Sequence, residues 1–90
     1  MRIKDVRNLV GEYNSRIGDE ARRLRFRTIT DRSLPNPREK ECHNILENDN
    51  VFLVATTGIK TRWRIFDQGY KPLFLGTLEE CLDWLGTNGK

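Results

Sequence analysis

The apolar positions of the first seventeen residues fall at helical spacing. Ile3, Val6, Val10, Tyr13 and Ile17 recur three or four residues apart, and Leu24 continues the series seven further on, with Ala21 in the gap. This spacing lays one apolar stripe down an α-helix, flanked by Arg2, Lys4, Arg7, Glu12 and Arg16. A helix over 3–17 is therefore predicted. Gly18 breaks it, since glycine costs a helix interior about 1 kcal/mol relative to alanine. Asp19 behind it can cap a second helical segment.

Residues 22–32 support two readings. As a strand, Leu24 and Phe26 face one side while Arg25 and Arg27 face the other. As a helical continuation, Leu24 extends the first stripe. Thr28, Ile29 and Thr30 favour the extended form at the end of the stretch. Leu34-Pro35-Asn36-Pro37 then interrupts the chain. Asn36 suits an N-cap, Pro37 the first helical position, and Glu39 the third residue of a capping box. These signals predict a short helix over 37–47, with Cys42, Ile45 and Leu46 inward and Asn48-Asp49-Asn50 as its closing turn.

From residue 51 the period changes to two. Val51–Thr56 is a near-continuous apolar run, which predicts a central strand over 51–56. Thr57-Gly58 supplies a turn. A second strand is expected over 60–67, with Ile59, Thr61, Trp63 and Ile65 on one side and Lys60, Arg62, Arg64 and Phe66 on the other. Asp67-Gln68-Gly69 turns again, and a third strand over 70–75 contains Pro72, which cannot donate to a ladder and so belongs at an edge. Thr77 and Glu80 form a capping box for a helix over 78–85, with Leu78, Cys81, Leu82 and Leu85 inward and Gly86 closing it. The expected fold class is α+β in one domain over 1–90: a small antiparallel sheet of three strands, or four if 22–32 is extended. Helices cover one face, and the chain ends in a β-β-β-α unit.

Charge sharpens the picture. Net charge is +3, but residues 1–40 hold eleven Lys/Arg against six Asp/Glu, and residues 41–90 hold five against seven. The basic half is nearly all arginine, whose planar fork suits bidentate contact with phosphate or carboxylate. No apolar run reaches the ~20 residues of a membrane span, and the first residues lack the apolar stretch of a secretory signal. Cys42 and Cys81 are the two cysteines. So few thiols in a domain this small predict a reducing cytoplasm rather than a disulfide scaffold.

Candidate chemistry is sparse. His43 follows Cys42 directly, and adjacent helical side chains point about 100° apart, too divergent for a nucleophile–base pair. Asp19-Glu20 and Glu79-Glu80 sit where helices begin, so they complement helix dipoles. Cys42, His43 and Cys81 fall short of the four ligands a structural zinc takes. No phosphate-cradling glycine loop is present. No enzyme, metal or cofactor is expected.

Two basic features remain. Arg22, Arg23, Arg25, Arg27 and Arg32 place five arginines in eleven residues around Phe26. Lys60, Arg62 and Arg64 share one strand parity with Phe66. Cations beside an aromatic ring on a sheet suit phosphates and a stacked base. Arg22, Arg23, Arg25, Arg27, Lys60, Arg62, Arg64 and Phe66 are therefore the candidate nucleic-acid contacts.

One helix, three strands and a closing helix resemble the double-stranded-RNA-binding domain in element order. That family carries a lysine cluster at the start of its last helix, where this chain has the acidic Thr77-Leu78-Glu79-Glu80, so the resemblance implies no contact there. The stretch from Trp63 to Asp67 and from Gly76 to Leu85 is similar to segments of short uncharacterised bacterial and phage proteins, which implies a fold unit and no activity.

The expected function is that of a small regulatory or accessory binding protein engaging nucleic acid or an acidic protein surface. The alternative is a protein-interaction module, an inhibitor or adaptor of phage type, or a homodimer formed through the stripe of the first helix.

Overall fold

The computed structural model describes residues 2–56, 58 and 60–90. Helix α1 spans Ile3–Ile17 and buries Val6, Val10 and Tyr13 from its stripe. Gly18 ends it with φ 69, in the left-handed region that glycine enters without a Cβ penalty. Asp19 accepts a hydrogen bond from the Ala21 N–H and caps a single 3-10 turn, Glu20–Arg22. Five strands follow, β1 (Arg25–Asp31), β2 (Arg38–Glu47), β3 (Val51–Ala55), β4 (Trp63–Asp67) and β5 (Pro72–Gly76), before α2 (Leu78–Asn88). The strands form one antiparallel sheet in the order β1-β2-β3-β4-β5.

The sheet therefore has five strands, more than the three or four expected, because residues 37–47 form a strand and not a helix. The capping box at Asn36 is local, whereas Thr28, Ile29 and Thr30 need a ladder partner and find it in Glu41, Lys40 and Glu39. The Asp31 carboxylate accepts from the Ser33 N–H and hydroxyl, which turns the chain into this hairpin. Of the three residues expected inward, Leu46 is buried, while Ile45 and Cys42 point to the opposite face. The alternative for 22–32 resolves as a 3-10 turn followed by β1. Five strands between the helices also depart from the element order of the double-stranded-RNA-binding domain.

The C-terminal unit follows the expected order with shifted bounds. Thr77 and Glu80 exchange hydrogen bonds of 3.0 and 3.2 Å as a capping box. Helix α2 runs past Gly86 to Asn88, and Gly89 (φ 70) takes the left-handed C-cap instead. Pro72 lies in β5, an edge strand. β4 begins at Trp63, so Lys60 and Arg62 precede it in the connection from β3. The expected turn residue Thr57 and the parity of Ile59 lie outside the described residues.

Both helices pack on one face of the sheet. Leu46, Val51, Leu53, Trp63 and Ile65 meet Val6, Val10, Tyr13, Leu78, Cys81, Leu82 and Leu85 there. Trp84 of α2 stacks on Phe74 of β5 at 5.8 Å. The buried Asn48 ties the layers together. Its amide donates to the carbonyls of Arg22 and Lys90, and its Oδ1 accepts from the N–H groups of Asn50 and Val51. β2 outruns β3: residues 38–42 pair only with β1, Leu46 and Glu47 pair with both neighbours, and Ile45 pairs with β3.

Candidate nucleic-acid interface

Strand alternation sends every second side chain to the face that neither helix covers. Since Leu46, Leu53 and Ile65 point to the core, their neighbours point away. Two cross-strand rows result. One runs Ile45–Val54–Arg64–Leu75, and the next runs Arg25–Glu47–Phe52–Phe66. An uncovered antiparallel face ordinarily alternates to polar residues. Here it carries aromatic and aliphatic groups among arginines.

Phe52 is the centre of this surface. Its ring stacks on Phe66 at 5.2 Å and 17°. Tyr70 stands against it at 5.6 Å and 72°. The Arg27 guanidinium lies over it, 5.3 Å from the ring centroid, and Glu47 holds the Arg27 Nε at 3.5 Å. These three neighbours leave Phe52 only 7% exposed. Both register shifts in the sheet fall beside members of this group, between Phe26 and Arg27 and between Ile65 and Phe66. Such bulges bend a strand and re-aim the next side chain, and they recur at binding sites. Leu75 and Ile29 flank the surface at 46% and 51% exposure.

The expected contacts thus separate. Arg25, Arg27, Arg64 and Phe66 come together on the open face. Arg25 also approaches Asp49 at 4.0 Å, an exposed pair of little weight. Arg22 does not join them. It donates to the Leu85 carbonyl at the end of α2, and its Nε is buried near Tyr13, whose hydroxyl burial raises in pKa. It is a structural arginine. Arg23 is exposed beside the 3-10 turn. Lys60 and Arg62 are exposed in the β3–β4 connection, and Arg62 exchanges hydrogen bonds with Thr56. Sequence reading missed Phe52 and Tyr70. Phe52 hides in the apolar run of β3, where its parity against Leu53 is the available signal.

The helical side carries charge of both signs, with Arg7 and Arg16 of α1 beside the carboxylates of α2. An open groove of about 810 Å³ between α1 and α2 is lined by Glu12, Glu79 and Asp83 with Arg16 and Leu82.

His43 faces the helical side, 3.3 Å from Glu41 and edge-on to Phe26. Glu41 also accepts from Arg7, whose hydrogen bond is the main reason its pKa is lowered. Cys81 is buried, donates to the Trp63 carbonyl, and has its thiol pushed up to about 12 by burial. The two cysteines are free, and Cys81 lies under β4, apart from His43 and Glu41 on β2. Among the described residues, no cluster of three or more His, Cys, Asp or Glu could hold a metal ion, and no helix is long and apolar enough to cross a membrane.

No protein-family model, curated protein or solved structure matches this chain.

Proposed function

We propose that this chain is a small non-enzymatic accessory or regulatory protein of the cytoplasm that binds nucleic acid on its open sheet face. One observation supports the reading above the others: Arg27 and Arg64 share an uncovered surface with the stacked rings of Phe52 and Phe66. Arginine supplies charge for phosphate, and the half-buried Phe66, backed by the buried Phe52, supplies an aromatic face for stacking that tolerates any base. The expected cluster is thereby redrawn. Arg25, Arg27, Arg64 and Phe66 form the centre, Arg23, Lys60 and Arg62 are peripheral cations, and Arg22 serves the fold.

Fluorescence anisotropy with single-stranded and duplex oligonucleotides, at low and at physiological salt, tests this. Binding should weaken steeply with salt as counterions compete for phosphate. The double variant Arg27→Ala, Arg64→Ala should lower the slope of log K against log salt by about 1.4 for a single strand, at about 0.7 per phosphate contact. Absence of binding at low salt, or affinity indifferent to salt, overturns the proposal.

A second reading is favoured by Ile29 and Leu75, exposed apolar residues on the same face. They suit an acidic protein surface with an apolar centre, as an inhibitor or adaptor would require. The stripe of α1 offers less, because Val6, Val10 and Tyr13 are already buried in the chain's own core.

A further inference from the structure

We propose that Tyr70 is a stacking residue for an unpaired base, and that the open face therefore selects single-stranded over duplex nucleic acid. The inference rests on the reading of that face given above and adds the ligand class and the residue that sets it.

Tyr70 combines two properties that are unusual together. It is 77% exposed, and its φ of 65 makes it the single non-glycine residue with positive φ among the described residues. A side chain with a Cβ occupies that region at a steric cost. Gly69 next to it could have taken the left-handed position and does not. A turn built on Asp67 enforces the choice. The Tyr70 N–H donates to the Asp67 carbonyl at 3.0 Å, and the Gly69 and Lys71 N–H groups donate to Asp67 Oδ1 at 2.9 Å each.

The result is an aromatic ring held upright at the rim of the open face. It stands at 72° to Phe52, so the two rings are not stacked on each other and most of Tyr70 stays accessible. Its packing is limited to one edge contact with Phe52, and 77% of the residue remains exposed. Backbone strain of this kind concentrates where a side chain must be presented to a ligand. A tyrosine beside Arg27, Phe52 and Phe66 completes a surface for a base. A duplex has already stacked its bases on one another and cannot offer a base face without unpairing.

The test uses the full chain, labelled oligothymidine, and a duplex of equal length, read by anisotropy, together with thermal denaturation. Wild type should bind the single strand more tightly than the duplex. Tyr70→Gly and Tyr70→Ala should weaken single-strand binding about 5- to 150-fold, the range of one lost base stack. The salt slope should stay unchanged, since no phosphate contact is removed. Tyr70→Phe should retain affinity because it keeps the π-face. Tyr70→Gly should melt close to wild type, since relief of the strained φ offsets the lost contact with Phe52. A purely structural tyrosine would show the reverse pattern, with lower melting temperature and unaltered affinity. Equal single-strand affinity for Tyr70→Gly and wild type overturns this inference and leaves the open-face reading standing. A duplex bound as tightly as the single strand does the same. No binding of either nucleic acid by wild type overturns both.

Discussion

Asn48 is the residue whose loss should cost the fold most for its size. Its side chain makes hydrogen bonds of 3.1 and 2.8 Å to the carbonyls of Arg22 and Lys90, and accepts two of 2.8 Å from the N–H groups of Asn50 and Val51. It is 2% exposed, so Asn48→Ala admits little water to replace these partners. The Asn50 N–H and Lys90 carbonyl lie nearer solvent and can rehydrate. The Val51 N–H is buried, and an orphaned buried donor costs about 1–3 kcal/mol. With the Arg22 carbonyl half-lost as well, the total comes to about 2–4 kcal/mol. For a chain of this length that corresponds to a fall in Tm of roughly 10–25 °C. Urea denaturation followed by tryptophan fluorescence measures it, because Trp63 lies in the core. The midpoint should drop with the m-value unchanged, as expected when stability alone is altered. Asn48→Asp keeps the two accepted bonds but turns a carboxylate oxygen toward two carbonyls, so it should be at least as destabilising. A loss below about 1 kcal/mol in Asn48→Ala, the worth of a single hydrogen bond, would refute the reasoning.

Other consequences are equally measurable. A Cβ at Gly76 would lie 2.9 Å from Phe74 Cε2 and 3.2 Å from Glu80 Cβ, so Gly76→Ala should destabilise by about 1–3 kcal/mol through overpacking, read by urea midpoint. Burial pushes the Cys81 thiol up to about 12, and the thiolate is the reactive form. Iodoacetamide near neutral pH should therefore label only Cys42 in the native chain and both cysteines in denaturant, as counted by mass spectrometry. The backbone N–H of Thr77, followed by its hydroxyl, holds the Glu80 carboxyl below its ordinary 4.5. A depressed folded pKa means stability that is complete above the unfolded value and lost as pH falls through the folded one. Glu80→Gln should thus flatten part of the acid loss in urea midpoints and leave the midpoint's pH dependence above that range unaltered.

Where the chain declares itself through local chemistry, sequence and structure agree. The stripe of α1, the glycine at its end, the Thr77–Glu80 capping box and the edge position of Pro72 are all decided by residues within a turn or two of each other. β2 was illegible for the converse reason. Asn36, Pro37 and Glu39 imitate a helix start, and only pairing with Thr28–Asp31 makes residues 38–47 a strand. The charged alternation Arg38-Glu39-Lys40-Glu41 fits either form.

The site follows the same division. Arg64 and Phe66 were legible from strand parity, and Arg27 from its alternation with Phe26. Arg22 lies apart from them, and nothing local reveals that the Leu85 carbonyl is within its reach. Phe52 was not singled out because Val51–Thr56 is apolar on both parities. In an antiparallel sheet covered on one side, that very feature places an aromatic residue on the open side. Tyr70 could not be singled out, since the left-handed position beside Gly69 would be given to the glycine.

The most direct measurement is a two-dimensional amide NMR titration of the chain with a short single-stranded oligonucleotide at low salt. Binding on the open sheet face requires the shifts to concentrate on the strands around Arg27, Phe52, Arg64, Phe66, Tyr70 and Leu75, with Glu12, Glu79 and Asp83 on the helices unmoved. Shifts confined to α1 and α2, or none at all, would contradict it.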